Sequence, residues 1–385
     1  MCFKKEFLLI GLISFNFIQL AFAQKLSRSD ADNFAQSELA REINLYKLQV
    51  GDSWKTNVVL YKDLVMKYDY KIFGKKPETG RSLFISLHGG GNAAPDVNDQ
   101  QWQNQHFLYT PAEGVYLVPR APTNTWNLWH EDHIDNMLDS IIKRAVIFLG
   151  VNPNKVYIMG YSAGGDGVFQ LAPRMADRWA AAAMMAGHPG DASALPLRNL
   201  PFTAFVGGAD AAYNRNKLVK AWGEKLDSLK MLDTAGYTHS TTVYEGLPHW
   251  MNRKDTIALD WMAKFTRNPL PKKINWVQDD RHETDFYWLS TDSVGLKTGN
   301  SATVSVKENT INIEHNDYER LFIYLNDKLV NLDKAIKVLY NGKVVFNGKV
   351  NRTAKTITET ITKRLDPNMV FSAKLEVKNG KVNRL

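Results

Sequence analysis

A series of short apolar runs organises the middle of the chain: Leu83 to Leu87, Val115 to Val118, Val156 to Met159, Ala180 to Met185, Phe202 to Val206 and Thr241 to Tyr244. Each has the length of a strand and lacks polar alternation, the pattern of strands buried on both faces. Between and after them lie helical patterns over Asp135 to Leu149, Asp166 to Met175, Lys217 to Leu232 and Thr256 to Phe265. Strands alternating with helices predict an α/β domain, a mostly parallel sheet with helices on both faces. Right-handed crossovers put every loop that follows a strand on one edge of that sheet. Val65 to Phe73 alternates like one further strand, and Gly74 to Gly80 supplies its turn.

Either side of this core the pattern differs. Residues 30 to 50 carry Phe34, Leu39, Ile43, Leu45 and Leu48, with Asp30 as a cap. That predicts a helical lead-in over 24–65, packed on the α/β domain. After Pro269-Leu270-Pro271 the apolar positions alternate or run like strands, at Val304 and Val306, Ile311 and Ile313, and Leu321 to Leu325. Asn341-Gly342 and Asn379-Gly380 are strong hairpin signals. We therefore expect an α/β domain over 66–270 and a small all-β, sandwich-like accessory domain over 271–385. A length of 385 residues agrees with two domains, at about 100 to 200 residues each.

Residues 1–23 read as an export signal: Lys4 and Lys5, an apolar run from Phe7 to Leu20, then Ala21-Phe22-Ala23 before Gln24. The run is too short and too interrupted for a membrane anchor, and no later stretch approaches the ~20 apolar residues a span needs. The expected location is secreted or periplasmic. The single cysteine, Cys2, falls within that signal, so disulfides contribute nothing to the mature chain. Formal net charge is +8. The lysines are scattered and no basic run is interleaved with aromatics, which argues against nucleic acid as a partner.

The candidate chemistry sits where the apolar runs end. Lys155 to Met159 runs into Gly160-Tyr161-Ser162-Ala163-Gly164, a Gly-x-Ser-x-Gly whose small residues let a strand turn sharply into a helix with Ser162 at the apex. Alone this motif is weak; its context is stronger. Leu83 to Leu87 runs into His88-Gly89-Gly90-Gly91, and Gly207-Gly208-Ala209-Asp210 and Leu247-Pro248-His249-Trp250 follow later strands. All four segments fall on the carboxyl edge, where open α/β sheets bind ligands. His239 precedes its strand and belongs at the opposite edge, which selects His249.

Together these segments resemble the oxyanion loop, nucleophile, acid and base of the α/β-hydrolase superfamily over residues 66 to 268, in its order Ser, Asp, His. Within it the chain is similar to secreted esterases of the polyhydroxybutyrate-depolymerase and feruloyl-esterase type. The resemblance implies Ser162 as nucleophile, His249 as base and Asp210 as its orienting acid; Asp191, which follows the preceding strand at the same edge, is the alternative acid by position. It implies backbone N–H groups of Gly89, Gly90 and Ala163 as the oxyanion hole. His88 is expected to shape that loop and is grouped with the substrate-side residues. Those are Trp102, Trp126, Trp129, His188 and Tyr161, on loops at the active edge or beside Ser162. His130-Glu131-Asp132-His133 is a poor metal cluster because adjacent side chains point apart, so no metal and no cofactor are expected. The reading is a serine esterase acting on an ester that is part of a polysaccharide or polyester. Its rivals are a prolyl-oligopeptidase-type serine peptidase and a non-catalytic binding protein on a hydrolase fold.

Overall fold

The computed structural model describes residues 25–385, so the export signal expected over 1–23 lies outside the described residues. The chain forms two compact units. One is Val50–Phe286 with Leu296–Ala302; the other comprises the described residues up to Gln49, Tyr287–Gly295 and Thr303–Leu385. In chain order the helices are α1 (Arg28–Val50), α2 (Pro95–Gln105), α3 (His133–Leu149), α4 (Ala163–Arg174), α5 (Arg215–Leu232), α6 (Ala258–Met262) and α7 (Ala354–Arg364). Among the described residues no helix is long and apolar enough to cross a membrane.

The first unit is built on eight strands: β1 (Val58–Tyr61), β2 (Leu64–Phe73), β3 (Arg81–Leu87), β4 (Gly114–Pro119), β5 (Val151–Tyr161), β6 (Ala181–Met185), β7 (Phe202–Gly207) and β8 (His239–Tyr244). Their order across the sheet is β1-β2-β4-β3-β5-β6-β7-β8. From β4 through β3 to β8 every pairing is parallel, whereas β2 runs antiparallel to both β1 and β4. Consecutive residues of β4, β6 and β7 are all buried, so both faces of the sheet are covered, as their unbroken apolar runs require.

Strand β5 shows how the faces divide. Tyr157, Met159 and Tyr161 point into a cluster with Phe84, Tyr116, Phe205, Leu259 and Met262. The alternate residue Gly160 faces α4, where an added Cβ would lie 2.2 Å from the carbonyl oxygen of Gly164. Helix α4 can therefore dock only because both positions are glycine. With its strand order and its strand-turn-helix at Ser162, this unit has the α/β-hydrolase fold.

After β8 come β9 (Lys273–Val277) and β10 (Asp285–Phe286), which fall in the first unit, and β12 (Ser301–Lys307), at the boundary; the second unit contains β11 (Leu289–Thr291), β13 (Thr310–Asn316), β14 (Arg320–Leu325), β15 (Ile336–Tyr340), β16 (Lys343–Gly348), β17 (Ala373–Lys378) and β18 (Lys381–Arg384). Strands β11, β14, β17 and β18 follow one another in one sheet and β16, β15 and β13 in another. Both predicted hairpins form. Asn341 and Gly342 have φ of 49° and 76°, Asn379 and Gly380 of 51° and 70°, the left-handed pair that a two-residue turn between twisted strands demands.

Three expectations change. Helix α1 does not belong to the first unit: Ala31 packs with Ile357 and Ile361 of α7, Thr358 Oγ1 donates to Glu38 Oε1 at 2.9 Å, and Leu26 bridges to Arg352. Its apolar positions Ala31, Phe34, Ala35 and Leu39 make the stripe that packs with α7, and Leu26, just before the helix, joins them. The lead-in also ends earlier than 65, since Val58–Tyr61 is strand β1. The C-terminal region, finally, carries α7 among its strands, capped by Thr353, whose side chain accepts from the Thr356 N–H.

Candidate active site

The turn after β5 places Ser162 at φ 58° and ψ −123°, a conformation that side-chain-bearing residues seldom adopt. Three contacts hold it. The Ser162 N–H donates to the Met185 carbonyl at 2.9 Å. Gly160 abuts Gly164, and a Cβ on Gly164 would stand 2.1 Å from the Leu87 oxygen. Ala163 begins α4, so its N–H has no partner within the helix and points outward at the positive end.

Gly89 lies against this turn: a Cβ there would be 3.2 Å from the Ser162 Cβ. Gly90 has φ 108°, and a Cβ on it would meet Asn98 Oδ1 at 2.3 Å, so only glycine fits. Buried Asn98, on α2, braces the loop by accepting the Gly91 N–H at 2.8 Å and donating to Ala93 O and Asn124 Oδ1. His88 does the rest. Its Nε2 accepts the Ala121 N–H at 3.1 Å, which leaves Nδ1 protonated and donating to the Gly89 carbonyl at 2.6 Å. Because the C=O and N–H of one peptide point in opposite directions, fixing the Gly89 carbonyl also fixes the Gly90 N–H. Complete burial pushes the His88 imidazole down to about 3, so it stays neutral in one tautomer.

His249 enters on the loop after β8. Its Nε2 is 3.0 Å from Ser162 Oγ, and its Nδ1 is 2.7 Å from Asp210 Oδ2. The Asp210 side chain is 2% exposed and that of His249 40%. Tyr161, next to the serine, ties this loop down: its hydroxyl donates to the His249 carbonyl at 2.6 Å and accepts the Met251 N–H at 3.1 Å. Its ring meets the imidazole edge-on, with centroids 5.8 Å apart. Ser162, His249, Gly89, Gly90 and Tyr161 open onto a cleft of about 620 Å³ whose remaining walls are Val97, Gln101, Asn104, Gln105, Phe107, Leu108 and Trp250. No Asp, Glu, Lys or Arg is among these lining residues.

Several expected substrate contacts are elsewhere. His88 is fully buried and serves the loop from within. Trp129 is 1% exposed, its Nε1–H donating to the His88 carbonyl at 2.9 Å, so it packs under the glycines. The Trp102 Nε1–H donates to Val118 O, which turns that ring toward the sheet. Position along the chain does not say which way a large ring points, and packing turns both tryptophans inward, Trp129 fully and Trp102 in part. Trp126 is exposed but rests on Tyr213, with centroids 5.4 Å apart, and does not line the cleft. His188 is half-buried; its N–H donates to Asp166 Oδ1 and its Nδ1 accepts from Gly190. Asp191 accepts from Gln170, and His239 pairs with Asp227, so neither takes part in the Ser162 constellation. Among the described residues no group of three or more His, Cys, Asp or Glu is placed to hold a metal ion. Phe107, Leu108, Val97 and Gln101 were missed because α2 and its sequel read as loop. The one signal was Phe107-Leu108, an apolar pair between polar stretches.

No family model matches the chain, and no curated protein matches it. Solved structures do. A thermostable esterase aligns at 19% identity over 55% of this chain and 62% of its own, with a TM-score of 0.42. A feruloyl esterase module from Clostridium thermocellum, complexed with sinapinate, aligns at 15% identity over 54% of this chain and 86% of its own, with a TM-score of 0.38. Esterase 2 of Thermogutta terrifontis aligns at 18% identity over 54% and 91%, with a TM-score of 0.37. The match thus spans less than two thirds of the first of these proteins.

Proposed function

We propose that the chain is a serine hydrolase that cleaves carboxylic esters through an acyl-enzyme on Ser162. The observation that carries this reading is the run of contacts from Ser162 Oγ to His249 Nε2 at 3.0 Å and from His249 Nδ1 to Asp210 Oδ2 at 2.7 Å. In the first step Oγ attacks the ester carbonyl carbon while its proton passes to Nε2. The carbonyl oxygen becomes an oxyanion, to which the N–H of Ala163 and of Gly89 or Gly90 donate. The C–O bond to the alcohol then breaks and Nε2 returns the proton to the leaving oxygen. Water, deprotonated by His249, repeats the sequence on the acyl-serine, releasing the acid. Asp210 holds Nδ1–H and balances the imidazolium in both halves.

An uncharged cleft walled by Phe107, Leu108, Val97, Tyr161 and Trp250 supports an uncharged, largely apolar ester. With the export signal read at residues 1–23, the substrate we favour is an acetyl, feruloyl or hydroxyalkanoate ester on a polymer met outside the cytoplasm. The test is Ser162→Ala assayed with p-nitrophenyl acetate and fluorophosphonate labelling. Loss of both in a folded variant is expected; undiminished turnover would end the reading. A panel of acetyl, feruloyl, hydroxyalkanoate and peptide substrates then sorts the esters from one another and from peptides.

A further inference from the structure

Arg215 is the first residue of α5, a place where helix dipoles disfavour a cation. It is also 8% exposed, and its Nε has no hydrogen-bond partner. A buried guanidinium in so poor a position needs a compensating charge. That charge is close: Nη1 lies 3.8 Å from Asp210 Oδ1, the oxygen not engaged by His249. The guanidinium also lies over the ring of Tyr213, 4.8 Å from its centroid. Tyr213 is itself held at φ 54°, a strained conformation that puts the ring there.

Resting on the serine-hydrolase reading above, we propose that Arg215 is a positioning residue of the site: its guanidinium is the counter-ion of Asp210. It keeps that carboxylate ionised and turned toward His249, so that the imidazole gives up its resting proton at a pH where the enzyme must work. Without the cation, a buried carboxylate facing an imidazole forms a pair that holds a proton more tightly, whichever partner carries it. Both possibilities act in one direction: the unprotonated base would appear only at higher pH.

The other groups around Asp210 do not replace Arg215. His249 faces it from the β8 loop and Tyr161 from β5, the latter a neutral hydroxyl. Asp166 on α4 is an acid that burial pushes up to about 6, and it lies within the field of both Arg215 and Asp210. His188, on the loop after β6, also lies within the field of Arg215 and is kept below its ordinary value by burial. Glu245 Oε2 approaches Gly208 from the turn after β8 and adds a further negative charge. Among these groups Arg215 is the permanent cation.

The test is the pH profile of kcat/KM for p-nitrophenyl acetate in Arg215→Met and Arg215→Lys, with thermal melts as the check on folding and Ser162→Ala alongside. The Met variant is expected to move the acid limb up by about one pH unit. The Lys variant, which keeps the charge, is expected to stay within about a third of that shift. Loss of packing alone would scale activity down equally at every pH. An unmoved limb in Arg215→Met, or a limb moved as far by Lys as by Met, overturns the proposal. Should Met not fold, Arg215→Gln gives the same readout. If Ser162→Ala is inactive while the Arg215 limb stays put, only the counter-ion role falls; if Ser162→Ala turns over, the hydrolase reading falls.

Discussion

Tyr161→Phe removes one oxygen atom and cuts the hydrogen bond that holds the His249 carbonyl. Two bonds vanish, the 2.6 Å one to His249 O and the 3.1 Å one from Met251 N–H. Each contributes about 1 kcal/mol net. Met251 is fully buried, so its N–H is left without water as well. The sum is about 2–3 kcal/mol. For a unit of this size that lowers the melting temperature by about 5–10 °C. The catalytic effect is separate: with the His249 carbonyl released, Nε2 no longer stays within hydrogen-bond reach of Ser162, and small misplacements cost heavily. We expect kcat with p-nitrophenyl acetate to fall about tenfold at a temperature well below melting, KM to hold, and the fluorophosphonate labelling rate to fall in parallel. A Phe variant that melts lower yet keeps wild-type kcat would show that the hydroxyl stabilises the loop without setting the geometry of His249.

Other consequences are equally specific. Gly164→Ala drives a methyl into the Leu87 carbonyl, backbone against backbone, and should cost about 3 kcal/mol or more; a melt within about 2 °C of wild type contradicts the docking described for α4. Asp166 has a folded value of about 6 against about 3.9 unfolded, so the folded state binds the proton more tightly and stability falls as pH rises from about 4 to about 6, by ~3 kcal/mol in all. Asp166→Asn should remove that slope and be the more stable protein at pH 7, as urea midpoints at pH 4 and pH 7 would record.

Much of the first unit was legible because its strands are long enough, and apolar enough, to leave no alternative. β3 to β8 and α3 to α5 all fall on the predicted stretches, and the edge argument brought His249, not His239, beside Asp210. What was missed shares a cause. Helix α2 has only Val97 and Trp102 as large apolar residues among polar ones, so it shows no stripe. It forms because the loop it follows must be braced, by Asn98 above all. Helix α7 contains Thr356-Ile357-Thr358-Glu359-Thr360-Ile361-Thr362, where polar and apolar residues alternate in part like a strand while Ile357 and Ile361 are also four apart like a helix. Two periods fit the same letters, and the Thr353 cap with the burial of both isoleucines decides for the helix. Trp102 and Trp129 illustrate the other limit: residue type and position along the chain do not encode the direction of a side chain, which tertiary packing settles.

The pairing of α1 with α7 joins Glu38 to a threonine 320 positions away. During synthesis the lead-in helix therefore emerges early and stays without its mate while the whole hydrolase sheet is made. That sheet can close from residues already translated, and the second unit assembles last around a segment that has waited throughout. A chain cut after residue 270 would keep the sheet and orphan the helix, so an expression series meant to isolate the first unit should begin near Val50.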